Sequence, residues 1–159
     1  MTQHLLIISM IGLTFCSCVS APPIDKAIVV HNIYRSMLLD LDAAMAPLLS
    51  EAEAQARIDH PDDARAFVDA MKPWTEAVEA LAMARQAEQA MHLSISQWDA
   101  TGDEGKVLRE TYACAATAID RVSNRLGVLP HGSPLYAAAF AIGTQLRAQA
   151  DGLECEVKK

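Results

Sequence analysis

Four cysteines are the most reactive side chains of this chain, and they fall into two pairs. Cys16 and Cys18 end an apolar N-terminal stretch, whereas Cys114 and Cys155 lie in the body of the sequence. A Cys-x-Cys pair can bind a soft metal such as copper, but the apolar stretch before it favours N-terminal processing. If Cys16 and Cys18 belong to a processed leader, the body keeps an even pair, which an oxidising compartment would join as a disulfide.

Two histidines are the nearest approach to metal ligands. His31 falls at a position expected to face another helix, where a polar side chain can fix the register of packing, bind a ligand or sense pH. A partly exposed place at the end of the seam is the favoured alternative for His31. His92 follows Glu88 by four residues, the spacing of an ordinary pair on a polar helix surface. We therefore predict no metal and no cofactor.

Catalytic motifs are absent from the sequence. It contains no Glu-x-x-His as in di-iron bundles, no Cys-x-x-Cys-His, no Gly-x-Ser-x-Gly, no P-loop and no His-Glu-x-x-His. We therefore predict a protein that is not an enzyme and has no catalytic residues.

The charge of the chain excludes nucleic acid as a partner. The formal net charge is −7, and residues 51–80 hold eight acidic side chains against three basic ones. Such a surface repels phosphate backbones and anionic lipid headgroups.

A long first helix is predicted over residues 24–58, because residues suited to packing recur there at heptad spacing. Its two seams consist of Ile24, His31, Leu38, Met45 and Ala52, and of Ala27, Tyr34, Leu41, Leu48 and Gln55. A second helix restarts at His60-Pro61-Asp62-Asp63, with proline in the first helical position and acids in the first turn. It is predicted to reach about Trp98, with a seam of Phe67, Met71, Trp74, Val78, Leu81, Met91, Ile95 and Trp98.

Two prolines interrupt these long helices. Pro47 lies outside the first seam, and Pro73 should kink or break the second helix. Both lie thirteen residues from His60, so they would stand at the same level of an antiparallel pair and could bend it as a unit. Two independent kinks are the alternative.

Two shorter helices complete the predicted fold. The third carries a seam at strict alternating spacing of four and three and ends at Gly127, while the fourth begins at Ser133-Pro134 and ends near Gly152. The third seam consists of Leu108, Tyr112, Ala115, Ile119, Val122 and Leu126, and the fourth of Leu135, Ala139, Ile142, Leu146 and Leu153. We predict an all-α fold: an antiparallel, up-down-up-down bundle of about four helices, the first two long and proline-kinked, in one domain over residues 24–157.

The bundle sets a condition on the disulfide. Cys114 precedes Gly127 by thirteen residues, while Cys155 follows Ser133 by twenty-two. In straight antiparallel helices this offset amounts to about 13 Å at 1.5 Å per residue, beyond the roughly 7 Å between Cα atoms that a disulfide allows. The bond requires the chain to turn back at Gly152; otherwise both cysteines remain free thiols.

An apolar pocket between helices is the candidate ligand site. Trp74, Trp98, Met71 and Met91 are the residues expected to line it or to contact a partner, since the interiors of helical bundles can hold ligands.

The N-terminal segment is typical of an export signal. The first 24 residues contain no Asp, Glu, Lys or Arg, and the apolar run at residues 5–15 is followed by small residues. The run is short for a bilayer span, which needs about 20 residues. Cleavage after Ala21 and an uncleaved anchor are two possible outcomes for this segment; the residues around Cys16 and Cys18 suggest a third.

Phe15-Cys16-Ser17-Cys18 resembles a bacterial lipobox in which Cys18 is lipidated, although Phe15 departs from the leucine that the family favours. Leu13 would fit a lipobox ending at Cys16, but Phe15 is then too bulky beside the cut. The resemblance covers residues 1–18 and leaves the body unrecognised. It implies cleavage before Cys18 and a membrane anchor on the periplasmic face, with the outer membrane favoured because Val19 is not acidic.

Together these features predict a non-enzymatic envelope lipoprotein, a helical scaffold or protein-interaction module that binds an envelope protein or a second copy of itself. A bundle that binds a small molecule in an apolar pocket is the alternative.

Overall fold

Four helices account for the regular structure in the computed structural model, which describes residues 23–98, 104–129, 133–150 and 153–155. They are α1 (Pro23–Asp59), α2 (Ala64–Ser96), α3 (Glu104–Leu126) and α4 (Ser133–Gln149). Within those ranges there is no strand, so the predicted all-α fold of four helices is confirmed. The predicted leader, with Cys16, Cys18 and the cleavage sites, lies outside the described residues.

The helices pack mainly on their neighbours in the sequence. α2 lies against both α1 and α3, α3 lies against α4, and α1 touches α4 only slightly. All six residues of the predicted α3 seam are buried. Strict spacing of four and three keeps one face of α3 apolar along its length, which suits a helix packed between two others.

The buried face of α2 differs from the predicted one in its middle. Val78 is 42% exposed, so its assignment to the seam is wrong, while Ala77, Ala80 and Ala84 are buried. Because α2 is shared between two partners, its contact surface there is formed by small side chains that let both neighbouring helices approach closely.

A four-residue connection joins α1 to α2. Asp63 is the N-cap of α2, and its Oδ1 accepts hydrogen bonds from the backbone N–H groups of Arg65 (3.0 Å) and Ala66 (2.9 Å). Pro61 therefore lies before the helix, not in its first turn as predicted. α2 runs without a break through Pro73, so of the two effects predicted for this proline, a kink or a break, the break does not occur.

Two glycines let α3 and α4 approach. A Cβ on Gly143 would lie 2.6 Å from Asp120 Oδ1 and 3.1 Å from Ile119 Cγ2, and one on Gly127 would lie 3.2 Å from the ring of Tyr136. α3 ends at Leu126, next to the predicted cap at Gly127. α4 ends at Gln149, three residues earlier than predicted.

None of the four helices combines the length and the apolar character that crossing a bilayer would require, among the residues described.

Candidate functional site

The stretch around the α1–α2 connection has almost no core. Among residues 50–73, which we call the tip, Ala56 is the only buried residue. Ile58 and Val68 are 71% and 63% exposed there. The rest of α1 and α2, together with α3 and α4, contains the hydrophobic core, and we call it the base. The tip therefore offers apolar side chains that nothing in the described chain covers.

A cleft of about 300 Å³ lies where the tip meets the base. Its apolar lining is Leu48, Ala52, Ala56, Ala70 and the buried indole of Trp74, and its polar lining is Glu51, Gln55, Asp59 and His60. The Gln55 amide donates a hydrogen bond to Asp59 Oδ1 over 2.8 Å. The cleft thus combines an apolar wall with two carboxylates at its edge.

The four predicted pocket residues are not brought together. Trp74 lines the cleft and Met71 is half-buried one turn before it, but Met91 and Trp98 lie toward the other end of α2. Met91 follows Trp74 by seventeen residues of continuous helix, about 25 Å at 1.5 Å per residue.

The tip carries an excess of negative charge. Residues 50–73 hold six carboxylates against three basic side chains. Arg57, one of the three basic residues, contacts other groups of the tip. It pairs with Glu53 Oε1 at 2.6 Å, and its guanidinium lies 5.3 Å from the centre of the Phe67 ring. Within the described part of the chain, neither Glu51 nor Asp59 forms an ion pair. The carboxylates of the cleft therefore keep their negative potential.

A second groove lies between α2 and α3, lined by Glu76, Glu79, Ala80, Met83, Arg121, Asn124 and Arg125. Arg125 Nη1 pairs with Glu76 Oε2 at 2.7 Å across it. Charges of both signs neutralise each other there, so this groove has less to offer a charged partner than the cleft at the tip.

A polar cluster joins α1 to α2 inside the base. His31 Nε2 lies 2.7 Å from Glu88 Oε1, and the His31 and His92 rings are 5.3 Å apart between centroids. His31 is only 5% exposed, so its expected partly exposed place is wrong. The Tyr34 hydroxyl donates a hydrogen bond to the Ala84 carbonyl over 3.0 Å. Sequence spacing placed Glu88 and His92 on one face of α2 but did not reveal that both contact His31.

This cluster has the properties of a structural contact between α1 and α2, not those of a catalytic or metal site. Burial, and then the nearby charge of Glu88, raise the pKa of Tyr34 well above its usual range, which keeps the phenol neutral and unsuited to act as a base or nucleophile. No group of three or more His, Cys, Asp or Glu side chains in the described ranges is arranged to hold a metal ion. A buried histidine with one specific partner is expected to favour one register of α1 on α2.

Cys114 and Cys155 form a disulfide, and their Cα atoms are 4.5 Å apart. The predicted pair is thus present in the structure. α4 stops at Gln149 and residues 153–155 are not helical, which removes the offset of straight helices and brings Cys155 back to the middle of α3. The predicted turn residue, Gly152, lies outside the described residues.

Searches against models of protein families, against curated proteins and against solved structures found no match for this chain.

Proposed function

We propose that this protein is an exported, lipid-anchored, non-enzymatic bundle that binds another envelope protein through its tip. The base is the scaffold in this proposal, and the tip is the binding surface. The observation that supports it most is the contrast in burial: one buried residue in the tip against a continuous core in the base. Exposed apolar side chains occur outside the tip as well, so the lack of a core along two paired helices, and not the number of exposed apolar groups, is what singles out the tip as the place for a partner.

The proposal includes the finer topology, an antiparallel up-down-up-down bundle bent at Pro47 and Pro73. Contacts that run in opposite directions along neighbouring helices support it. From His31 to Ala52, α1 meets α2 first at Glu88 and then near Trp74. The corresponding pairs on α2–α3 and α3–α4 are Met83 with Arg121, Glu76 with Arg125, Asp120 with Arg147 and Gly127 with Tyr136.

Export and anchoring are the parts of the proposal that depend on the lipobox resemblance at Cys18. The disulfide is consistent with an oxidising compartment. Attachment of lipid to Cys18 would hold the start of α1 at the periplasmic face of a membrane, with the outer membrane favoured by Val19. We expect Cys18→Ala to release the protein from the membrane fraction of a bacterial host, and an unchanged distribution would contradict anchoring at that residue.

The binding role can be tested by photocrosslinking in intact cells. A photoreactive residue replaces Val68 in the tip or, as the matched control, Val128, which follows the end of α3 and lies outside the tip; the two valines are 63% and 67% exposed. Val128 follows Gly127, which packs on Tyr136, so this control also samples the exposed aromatic pair Tyr136 and Phe140. We expect a discrete heterologous adduct from Val68 and none from Val128. No adduct at Val68, or the same adduct from both, would contradict binding through the tip.

Binding of a small molecule is the second candidate function, favoured by the cleft beside Trp74. Its volume of about 300 Å³ stands at the lower end of the range for ligand pockets, about 300–1,000 Å³. Native mass spectrometry of the freshly purified full chain would show a bound small molecule that Ala52→Leu displaces. If the wild type carries no bound small molecule, or if the Ala52→Leu variant still carries it, this candidate function is excluded.

A further inference from the structure

We propose that the cleft at the tip binds a basic amphipathic helix of the partner protein. This inference rests on the proposed binding role of the tip and names the chemistry of what it binds. It draws on three features of the described residues: an apolar groove between two helices, unpaired carboxylates along one edge of it, and an excess of negative charge over the whole tip.

The shape of the groove fits a helix. α1 and α2 form its two walls, and Leu48, Ala52, Ala56 and Trp74 supply apolar contact area. Alanines in the walls let a third backbone come close. Leu48 and Ala52 are half-buried and Ala70 is exposed, so these side chains keep apolar surface that a docked helix can cover. An amphipathic helix that lays its apolar stripe into such a groove is a common mode of peptide recognition.

The carboxylates select the sign of the partner's charge. Glu51, Gln55 and Asp59 follow one another at intervals of four residues, so they lie along one face of α1 at steps of about 6 Å. A docked helix with Lys or Arg at the same interval could place cations opposite Glu51 and Asp59. Arg57 does not compete for them, because Glu53 and Phe67 hold its guanidinium.

The same charge disfavours the other occupants. A second copy of this chain would bring another tip with six carboxylates and three bases, and like charges across an interface are unfavourable. An anionic lipid surface would be repelled for the same reason.

The test uses two synthetic peptides of identical length and identical leucine positions, one with lysine and one with glutamate at every polar position. Binding to the full chain is followed by the anisotropy of a dye on the peptide. We expect the lysine peptide to bind at least tenfold more tightly than the glutamate peptide. Its affinity should fall several-fold between low and physiological salt, since exposed charges are screened.

Two pairs of variants separate the cleft from general electrostatics. Glu51→Gln with Asp59→Asn should weaken the lysine peptide about tenfold, whereas Asp25→Asn with Asp40→Asn, the same change of charge at exposed sites elsewhere on α1, should weaken it less than twofold. Ala52→Leu fills the cleft without changing charge and should also weaken binding. Its control, Ala54→Leu, alters an exposed alanine of the same helix that does not line the cleft. Circular dichroism of each variant verifies that the helices remain folded.

Equal losses from the two charge pairs, equal binding of the two peptides, or tip-dependent dimers in sedimentation would each overturn this inference. The Val68 crosslink separates it from the proposed function. If that crosslink persists in the Glu51→Gln, Asp59→Asn variant, the tip still binds a partner but through other chemistry. If wild-type Val68 gives no crosslink, the proposed function itself fails.

Discussion

The two ends of the α1–α2 pair are built from similar helical sequence but differ in what covers them. In the base, α2 lies between α1 and α3, and a hydrogen bond between the buried His31 and the half-buried Glu88 joins α1 to α2. In the tip, Ala56 is the only buried residue, and the ion pair found there among the described residues, Arg57 with Glu53, is exposed and lies within one helix. The length of a helix and its burial by other helices are therefore separate properties, because α1 and α2 continue as helices beyond the hydrophobic core.

The largest effect on stability is expected from replacing one isoleucine in the base and comparing it with one in the tip. Ile119→Ala should lower the free energy of unfolding by about 2–5 kcal/mol, because it opens a cavity in the core. Ile58→Ala in the tip should change it by less than about 0.5 kcal/mol, since that side chain is already in solvent. Urea denaturation of both variants gives the two values. Similar losses would mean that the tip is covered in solution.

The disulfide should stabilise the base alone. Removing it with Cys114→Ser and Cys155→Ser should cost about 2–4 kcal/mol of unfolding free energy, given the sequence separation of 41 between the cysteines. Amide hydrogen exchange should accelerate in α3 and α4 while residues 50–73 keep their rates. The double variant serves as its own control, because a reductant should destabilise the wild type and leave the variant unchanged. A wild type indifferent to reductant would mean that the bond is absent.

The polar side-chain pairs of the two regions should differ in strength. Double-mutant cycles to alanine should give a coupling energy of about 1–3 kcal/mol for His31 with Glu88, which are shielded from water. Arg57 with Glu53, exposed on the tip, should give about 0.3–0.5 kcal/mol. A coupling energy for His31–Glu88 no larger than that of the exposed pair would show that the register of α1 on α2 depends on apolar packing alone.

The smallest effect should appear only at high pH. Burial raises the pKa of Tyr112 from 10.0 to about 12, so the unfolded chain loses the phenol proton before the folded chain does. The stability that this tyrosine contributes is fully present below pH 10 and is lost as the pH rises through 12. Tyr112→Phe should therefore flatten the fall of the melting temperature between pH 10 and 12. Tyr136→Phe, at an exposed ring, should leave that slope unchanged.

The parts of the fold set by local pattern could be predicted from sequence. The α3 seam follows from spacing within one helix, and the start of α2 follows from a proline and two acids, although the cap turned out to be Asp63. Val78 was misassigned because the face of α2 depends on two neighbours at once, which a single periodicity does not describe.

The candidate sites depend on pairings between helices, and these were harder to predict. His31 and Glu88 are fifty-seven residues apart in sequence, so their contact depends on the register between α1 and α2. The predicted pocket put four large residues of α2 into a single site, yet a continuous helix keeps Trp74 and Met91 about 25 Å apart along its axis. The cysteine pair could be named, because only two cysteines remain in the body, but its geometry required α4 to end early.

The bond between Cys114 and Cys155 closes a covalent ring that contains the whole of α4. Two copies of a bundle can often exchange a terminal helix, each completing the other's core. Here both ends of α4 are covalently linked to its own α3: the N-terminal end through the connecting backbone, and the C-terminal end through the disulfide. While the ring is intact, α4 cannot be exchanged between molecules, and any assembly of this protein must keep α4 packed on its own α3.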